Sequence, residues 1–174
     1  KIITSLYLKH IKVQLDAIDS WQELSPQIYS INPKTDIPLL EPIFPAINFI
    51  ESNNTTTSLY GWHKDCPSVL DIIKSLKSET QPYLLINSDI SIEAGKGSLW
   101  DLIAARSTEG LVLGHRIDID DLGKREVYSD GFDWFMIGPH FDHLFSGRRH
   151  FAIGYPWWDY WLPLTYIRKQ IMPT

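Results

Sequence analysis

The chain holds one cysteine, Cys66, so no disulfide can form within it and the fold must rest on its apolar core. A lone thiol suits a reducing compartment, and a cytoplasmic location is expected. Long apolar runs are missing as well. Nothing approaches the roughly 20 residues needed to cross a bilayer, and no signal-peptide pattern is read at the start. There is no basic run, and the formal net charge is −5, which counts against a nucleic-acid backbone as partner. The first apolar segment is not followed by GxGxxG, which argues against a dinucleotide-binding Rossmann site. P-loop and GxSxG elbow patterns are also lacking, and neither an internal repeat nor a low-complexity tract is visible.

What is present is enough for one domain: 174 residues, 44% of them hydrophobic. Most of the seven Trp and eight Tyr are expected in the core, though flat rings also stack on sugars and bases. The stretch 82–92, PYLLINSDISI, organises the rest. Tyr83, Leu84, Leu85 and Ile86 are apolar without alternation, as in a strand buried on both faces. The run stops in Asn87, Ser88 and Asp89, at the strand end where open α/β sheets bind ligands. A turn is the plain alternative.

Ile2–Leu8 reads as a first strand. A helix is expected over His10–Leu24, with Leu8, Ile11, Leu15, Ile18 and Trp21 at helical spacing and Pro26 as its stop. Strands follow at Gln27–Ile31 and Ala46–Ile50, with a short helix at Asp36–Ile43 between them. Residues 51–60, rich in Asn, Thr and Ser, read as a loop. A helix from Ser68 to about Lys77 is expected, Ser68 and Asp71 resembling a capping box. Beyond Asp89, Gly95 and Gly97 loosen the chain. A helix at Ser98–Arg106 is closed by Gly110. Strands are read at Leu111–Ile117, Arg125–Tyr128, Phe132–Ile137 and Phe151–Gly154. A last helix starts at Pro156–Leu162 and is interrupted or restarted by Pro163. The alternation predicts an α/β fold: a mostly parallel central sheet flanked by helices, with a small antiparallel C-terminal portion.

Other polar constellations are weaker. Cys66 with His63 could form a nucleophile pair, but a structural Cys is the better reading. His140, His143 and His150 with Asp142 match no zinc spacing and read as solvated loop residues. Asp118, Asp120 and Asp121 lack the ligand spacing of a calcium loop and read as a hairpin turn.

Five short segments stand in order: ITSLY (3–7), NSDI (87–90), GHRID (114–118), GFDWFMI (131–137) and IGYPWWDYWL (153–162). Together they resemble GT-A fold glycosyltransferases, in particular a nucleotide-diphospho-sugar transferase-like group, over most of the chain. The resemblance implies a single GT-A-like domain, 1–174, with a nucleotide-binding half at 1–90 and an acceptor-side half at 91–174. It implies transfer of a sugar, with inversion, from a UDP- or GDP-sugar donor to a hydroxyl acceptor. Thr4, Ser5, Asn87, Ser88 and Asp89 would hold the donor. Asp89 matches the last Asp of the family's DxD motif and would bind Mn²⁺ or Mg²⁺, but Asn87 replaces the first Asp, an amide being the poorer ligand. Arg116 would neutralise the diphosphate, with pairing to Asp118 equally open. Asp133, Trp134, Trp157 and Trp158 would border the acceptor. Asp159 would be the catalytic base, with a helix cap as the even alternative. Two rivals remain: a sugar-1-phosphate nucleotidyltransferase, and a non-catalytic sugar- or nucleotide-binding domain.

Overall fold

The computed structural model describes residues 1–25, 27–75, 81–93, 98–139, 145 and 151–171. Its strands are β1 (Ile2–Thr4), β2 (Ile28–Asn32), β3 (Asn48–Glu51), β4 (Tyr83–Ile86), β5 (Val112–Gly114), β6 (Arg116–Ile119), β7 (Arg125–Tyr128) and β8 (Trp134–Ile137). Its helices are α1 (Ile11–Gln22), α2 (Ile37–Leu40), α3 (Thr56–Tyr60), α4 (Val69–Lys74), α5 (Ser98–Ser107) and α6 (Trp158–Ile171). Six strands form one sheet in the order β3-β2-β1-β4-β8-β5. The first four run parallel, and β8 lies antiparallel between β4 and β5. β6 and β7 pair only with each other, as a hairpin.

The period of two along each strand sorts side chains into two cores. Ile2, Leu84, Ile86 and Met136 join Ala17, Ile18 and Trp21 of α1 on one face. Ile3, Tyr83, Leu85 and Phe135 join Val69, Leu70, Ile72 and Ile73 of α4 and Trp158 and Leu162 of α6 on the other. Every residue of β4 is therefore buried, which is why its sequence shows no alternation. Each such aliphatic side chain contributes about 1.5–3 kcal/mol by leaving water.

Several local expectations change. Within 51–60 the chain forms α3, because Thr55 and Ser58 make a reciprocal capping box and Gly61 closes it at φ 66°. A single turn has no apolar periodicity to read. The Ser68 side chain does not cap α4; Asp71 turns instead to Asn54, accepting from its backbone N at 2.6 Å and its Nδ2 at 2.8 Å. Gly110 is not a left-handed cap. It makes room for the Tyr166 hydroxyl, which a Cβ there would approach to 2.8 Å. The strand read at 111–117 divides at His115, where the chain leaves the sheet for the hairpin. In place of the strand read at Phe151–Gly154, one bridge forms among the described residues, from Ala152 to Ser68. Pro163 lies inside α6 without ending it. It forgoes one amide bond, and burial of Trp158 and Leu162 on the sheet outweighs that loss. Pro26, Leu76, Lys77, Gly95, Gly97, His140, Asp142, His143 and His150 lie outside the described residues.

Candidate functional site

From β1 the chain winds outward to β2 and β3, then returns to place β4 on the other side of β1. The strand order thus reverses between β1 and β4, and the crevice outside their carboxyl ends is where sheets of this kind bind ligands. A cleft of about 850 Å³ opens there. One wall is the turn after β1, Ser5 to His10; Asn32 and Pro33 follow β2, and Asn87, Ser88 and Asp89 follow β4. His63 to Pro67, with Gly154 and Trp158, complete it. Asp89 is exposed to solvent. Burial, and then the Asp89 carboxylate, push the neighbouring Tyr7 phenol above its ordinary pKa. Lys9, His10, His63 and Lys64 bring cations or potential cations to the same cleft, beside Asp36 and Asp65.

The turn after β1 is held in shape by residues that sequence reasoning missed. Gln14 of α1 is completely buried. Its Oε1 accepts from the Tyr7 amide at 3.0 Å, and its Nε2 donates to the carbonyls of Tyr7 at 2.9 Å and Lys9 at 2.6 Å. From β2, Ser30 Oγ accepts from the Leu6 amide at 2.9 Å, and Asn32 Nδ2 donates to the Leu6 carbonyl at 2.6 Å. Ser30 Oγ in turn donates to Asn32 Oδ1 at 2.5 Å. His10 ends the turn in the left-handed region at φ 52°, an uncommon conformation for a side-chain-bearing residue. A polar residue at helical spacing among Ile11, Ala17, Ile18 and Trp21, on the face that packs on the sheet, was the available signal for Gln14. Nothing in the sequence said which loop it would reach.

Of the five segments quoted above, three reach the cleft, through Ser5 to Tyr7, Asn87 to Asp89, and Ile153, Gly154 and Trp158, whereas GHRID and GFDWFMI lie beside it. Asn87 Nδ2 donates to Asp133 Oδ1 at 2.9 Å, and Arg116 Nη1 donates to the same oxygen at 3.1 Å. Arg116 Nε donates to Asp118 at 2.7 Å, and its guanidinium lies 3.7 Å over the Tyr128 ring. Burial draws the Arg116 pKa down, but the two carboxylates outweigh that and leave it raised. Asp133 is buried, its second oxygen without a partner among the described residues. Asp159 Oδ2 accepts from the Phe132 amide at 3.3 Å. Gly131, at φ 138°, makes that approach possible, since a Cβ there would lie 2.5 Å from the same oxygen. His115 Nδ1 sits 2.7 Å from the Gly131 carbonyl, and its ring stacks on Phe132. Trp134 lies against Gly114, where a Cβ would come within 2.3 Å of the indole.

Ser5, Asn87, Ser88, Asp89 and Trp158 therefore line the cleft, whereas Thr4, Arg116, Asp133, Trp134, Trp157 and Asp159 are not among its lining residues. Thr4 is fully buried, with its hydroxyl unpartnered among the described residues. Arg116 is committed to the carboxylates of Asp118 and Asp133, and Asp133 is buried beneath Asn87 and Arg116. Trp157 is exposed at φ 78°.

The amide at position 87 has a partner that an aspartate would not suit. Asn87 supplies an N–H to a buried carboxylate, and an Asp there would set two carboxylates against each other. Among the described residues no group of three or more His, Cys, Asp or Glu comes together as a metal site. The cleft does offer Asp89, and a hard cation such as Mg²⁺ commonly takes one or two carboxylates and completes its shell with substrate phosphates and water. Cys66 lines the cleft wall but is buried, which pushes its thiol up despite the opposing effect of Lys64. That environment is wrong for a nucleophile.

No family model and no curated protein matches the chain. Among solved structures, 4-diphosphocytidyl-2C-methyl-D-erythritol synthase from Anaerococcus prevotii DSM 20548 is similar at a TM-score of 0.45 and 13% identity, over 82% of this chain and 71% of that one. No helix among the described residues is long and apolar enough to cross a membrane.

Proposed function

We propose that the crevice over β1 and β4 binds the nucleotide of an activated sugar, and that the chain is a nucleotide-sugar-dependent glycosyltransferase. One observation carries the reading: Asp89, an exposed carboxylate at the end of β4, opens onto a cleft at the reversal of strand order. Ser5 and the pre-shaped turn after β1 receive the nucleoside. Lys9, His10, His63 and Lys64 supply positive charge opposite a diphosphate. Asp89 would be the residue to hold Mn²⁺ or Mg²⁺, which would supply positive charge to the departing diphosphate.

In glycosyl transfer the acceptor hydroxyl oxygen attacks the anomeric carbon. The bond to the diphosphate breaks with its electron pair, and a carboxylate takes the hydroxyl proton. Asp159, next to the cleft-lining Trp158, is the proposed base. Its Oδ2 accepts from the Phe132 amide, which leaves Oδ1 to take the proton. Nucleotidyl transfer is the second reading, favoured by the two lysines of the cleft, Lys9 and Lys64. A sugar phosphate is already an anionic nucleophile, so it needs cations around the triphosphate and no base.

Calorimetry with UDP- and GDP-sugars and with nucleoside triphosphates, each with and without Mn²⁺, tests the site. Asp89→Ala is expected to weaken nucleotide binding at least about tenfold. Unchanged affinity in that variant removes the assignment. Release of nucleoside diphosphate from a nucleotide sugar supports glycosyl transfer. Pyrophosphate release in the presence of a sugar 1-phosphate supports the second reading, and silence toward all nucleotides removes both.

A further inference from the structure

Asp133 is 5% exposed and stands behind Asn87, which lines the cleft. Its Oδ1 accepts from Asn87 Nδ2 at 2.9 Å and from Arg116 Nη1 at 3.1 Å. Its Oδ2 is sealed from water and has no partner among the described residues. A buried carboxylate with an idle oxygen lowers stability, so packing does not account for its presence. Arg116 is itself fixed, by Asp118 at 2.7 Å and by the Tyr128 ring at 3.7 Å. The carboxylate that it meets is therefore held still.

The consequence falls on Asn87. A carboxylate only accepts, so the amide can offer Asp133 its Nδ2 and not its Oδ1. With the nitrogen turned to Asp133, the amide oxygen is left over. It accepts no hydrogen bond among the described residues and is not sealed from water. We propose that Asp133 is a positioning residue: it fixes the Asn87 amide so that Oδ1 accepts a hydrogen bond from a hydroxyl of the donor bound in the cleft. The proposal deepens the nucleotide-sugar reading and rests on it.

The two polar side chains of this rim then divide the work. Asp89 is charged and suits a cation. Asn87 Oδ1 is neutral, a poorer ligand for a hard dication but a good acceptor for a hydroxyl. A nucleotide sugar offers that hydroxyl from two sources, its ribose and its transferred sugar. A site that holds an acceptor in place for a hydroxyl rejects the ligand that lacks it. Asn87 is half-buried, and water can take the place of the missing group, so the preference is about three- to tenfold rather than larger.

Calorimetry of the full chain tests this, with UDP-glucose and GDP-glucose beside analogues lacking a single hydroxyl on the ribose or on the glucose. The wild type is expected to bind one of the analogues about three- to tenfold more weakly than its parent. A loss with a ribose analogue assigns the hydroxyl to the nucleoside, and a loss with a glucose analogue assigns it to the transferred group. In Asp133→Asn the new amide can donate to Asn87 Oδ1, so the acceptor is no longer held for the ligand. The parent is expected to weaken to the level of the analogue, and the preference to vanish. A merely structural Asp133 gives lower stability with the preference unchanged, and that result overturns the proposal. Asn87→Ala removes the acceptor outright and serves if Asp133→Asn does not fold. It too is expected to erase the preference, and a preserved preference in it overturns the proposal. A wild type that binds the parents and every analogue alike removes the proposal and leaves the cleft reading in place. Silence toward all nucleotides removes both.

Discussion

Asn87 is the residue at which sequence and structure bear on each other most directly. Read along the chain, it departs from the DxD pattern that the resemblance implies. In the fold its amide holds the buried Asp133 carboxylate at 2.9 Å. Asn87→Asp is therefore expected to cost about 1–3 kcal/mol in chemical denaturation, because it replaces a donor by a second anion. It is also expected to bring no gain in Mn²⁺ affinity; tighter metal binding in that variant would show that the position is a ligand after all. Asp159→Asn is expected to keep nucleotide affinity and to slow transfer at least about a hundredfold; full activity would reduce Asp159 to its contact with Phe132. Cys66 gives a pH test. Its folded pKa is raised by burial, so the folded state holds the thiol proton more tightly than the unfolded one. Stability from this group is full below the unfolded value of about 8.5 and is lost as pH rises through the folded one. Alkylation at pH 8 should accordingly be much slower in native protein than in urea, and equal rates would contradict a buried, protonated thiol.

At the scale of elements, the turn after β1 matters most. Gln14, Ser30 and Asn32 close its polar groups, so the cleft wall is built before any ligand arrives. Gln14→Leu removes three of these bonds while conserving much of the volume. It is expected to destabilise the fold by about 1–3 kcal/mol and to weaken nucleotide binding as well. A variant with lowered stability and unaltered affinity would show that the turn does not contact the nucleotide. The β5–β8 pair depends on close approach rather than hydrogen bonding alone. Gly114→Ala would drive a methyl into the Trp134 indole, which lies 2.3 Å from that point. Overpacking of this kind costs about 1–3 kcal/mol, visible as a lowered Tm.

At the scale of the molecule, the proposed nucleotide-binding and acceptor-side halves share one sheet. β8 comes from the second half and pairs with β4 of the first over four residues, and both cores contain side chains from both halves. A fragment ending at residue 90 would leave β4 as an uncovered edge and remove Phe135, Met136, Trp158 and Leu162 from the cores. It is expected not to fold, as judged by circular dichroism and amide exchange. Native-like protection in that fragment would contradict the shared-sheet account.

The parallel sheet, the buried β4 and the polar rim at Asn87–Asp89 were legible in the chain because they depend on local pattern. A strand covered on both faces has no choice but to be apolar throughout, and a switch to small polar residues marks where it leaves the core. The extent of α1 was legible from a repeat at helical spacing, but its buried face runs through Gln14, Ala17, Ile18 and Trp21, while Leu8 lies before the helix and Leu15 is exposed. The clustering of the five motifs could only be hoped for from their order, and the roles of their members could not be read at all. Whether Arg116 met a diphosphate or Asp133, whether Asp159 faced the cleft or the Phe132 amide, and that Gln14 would reach back to Tyr7 were matters of which groups came within 3 Å. Those distances are set by how the two helical layers close on the sheet, and no short window of sequence contains that information.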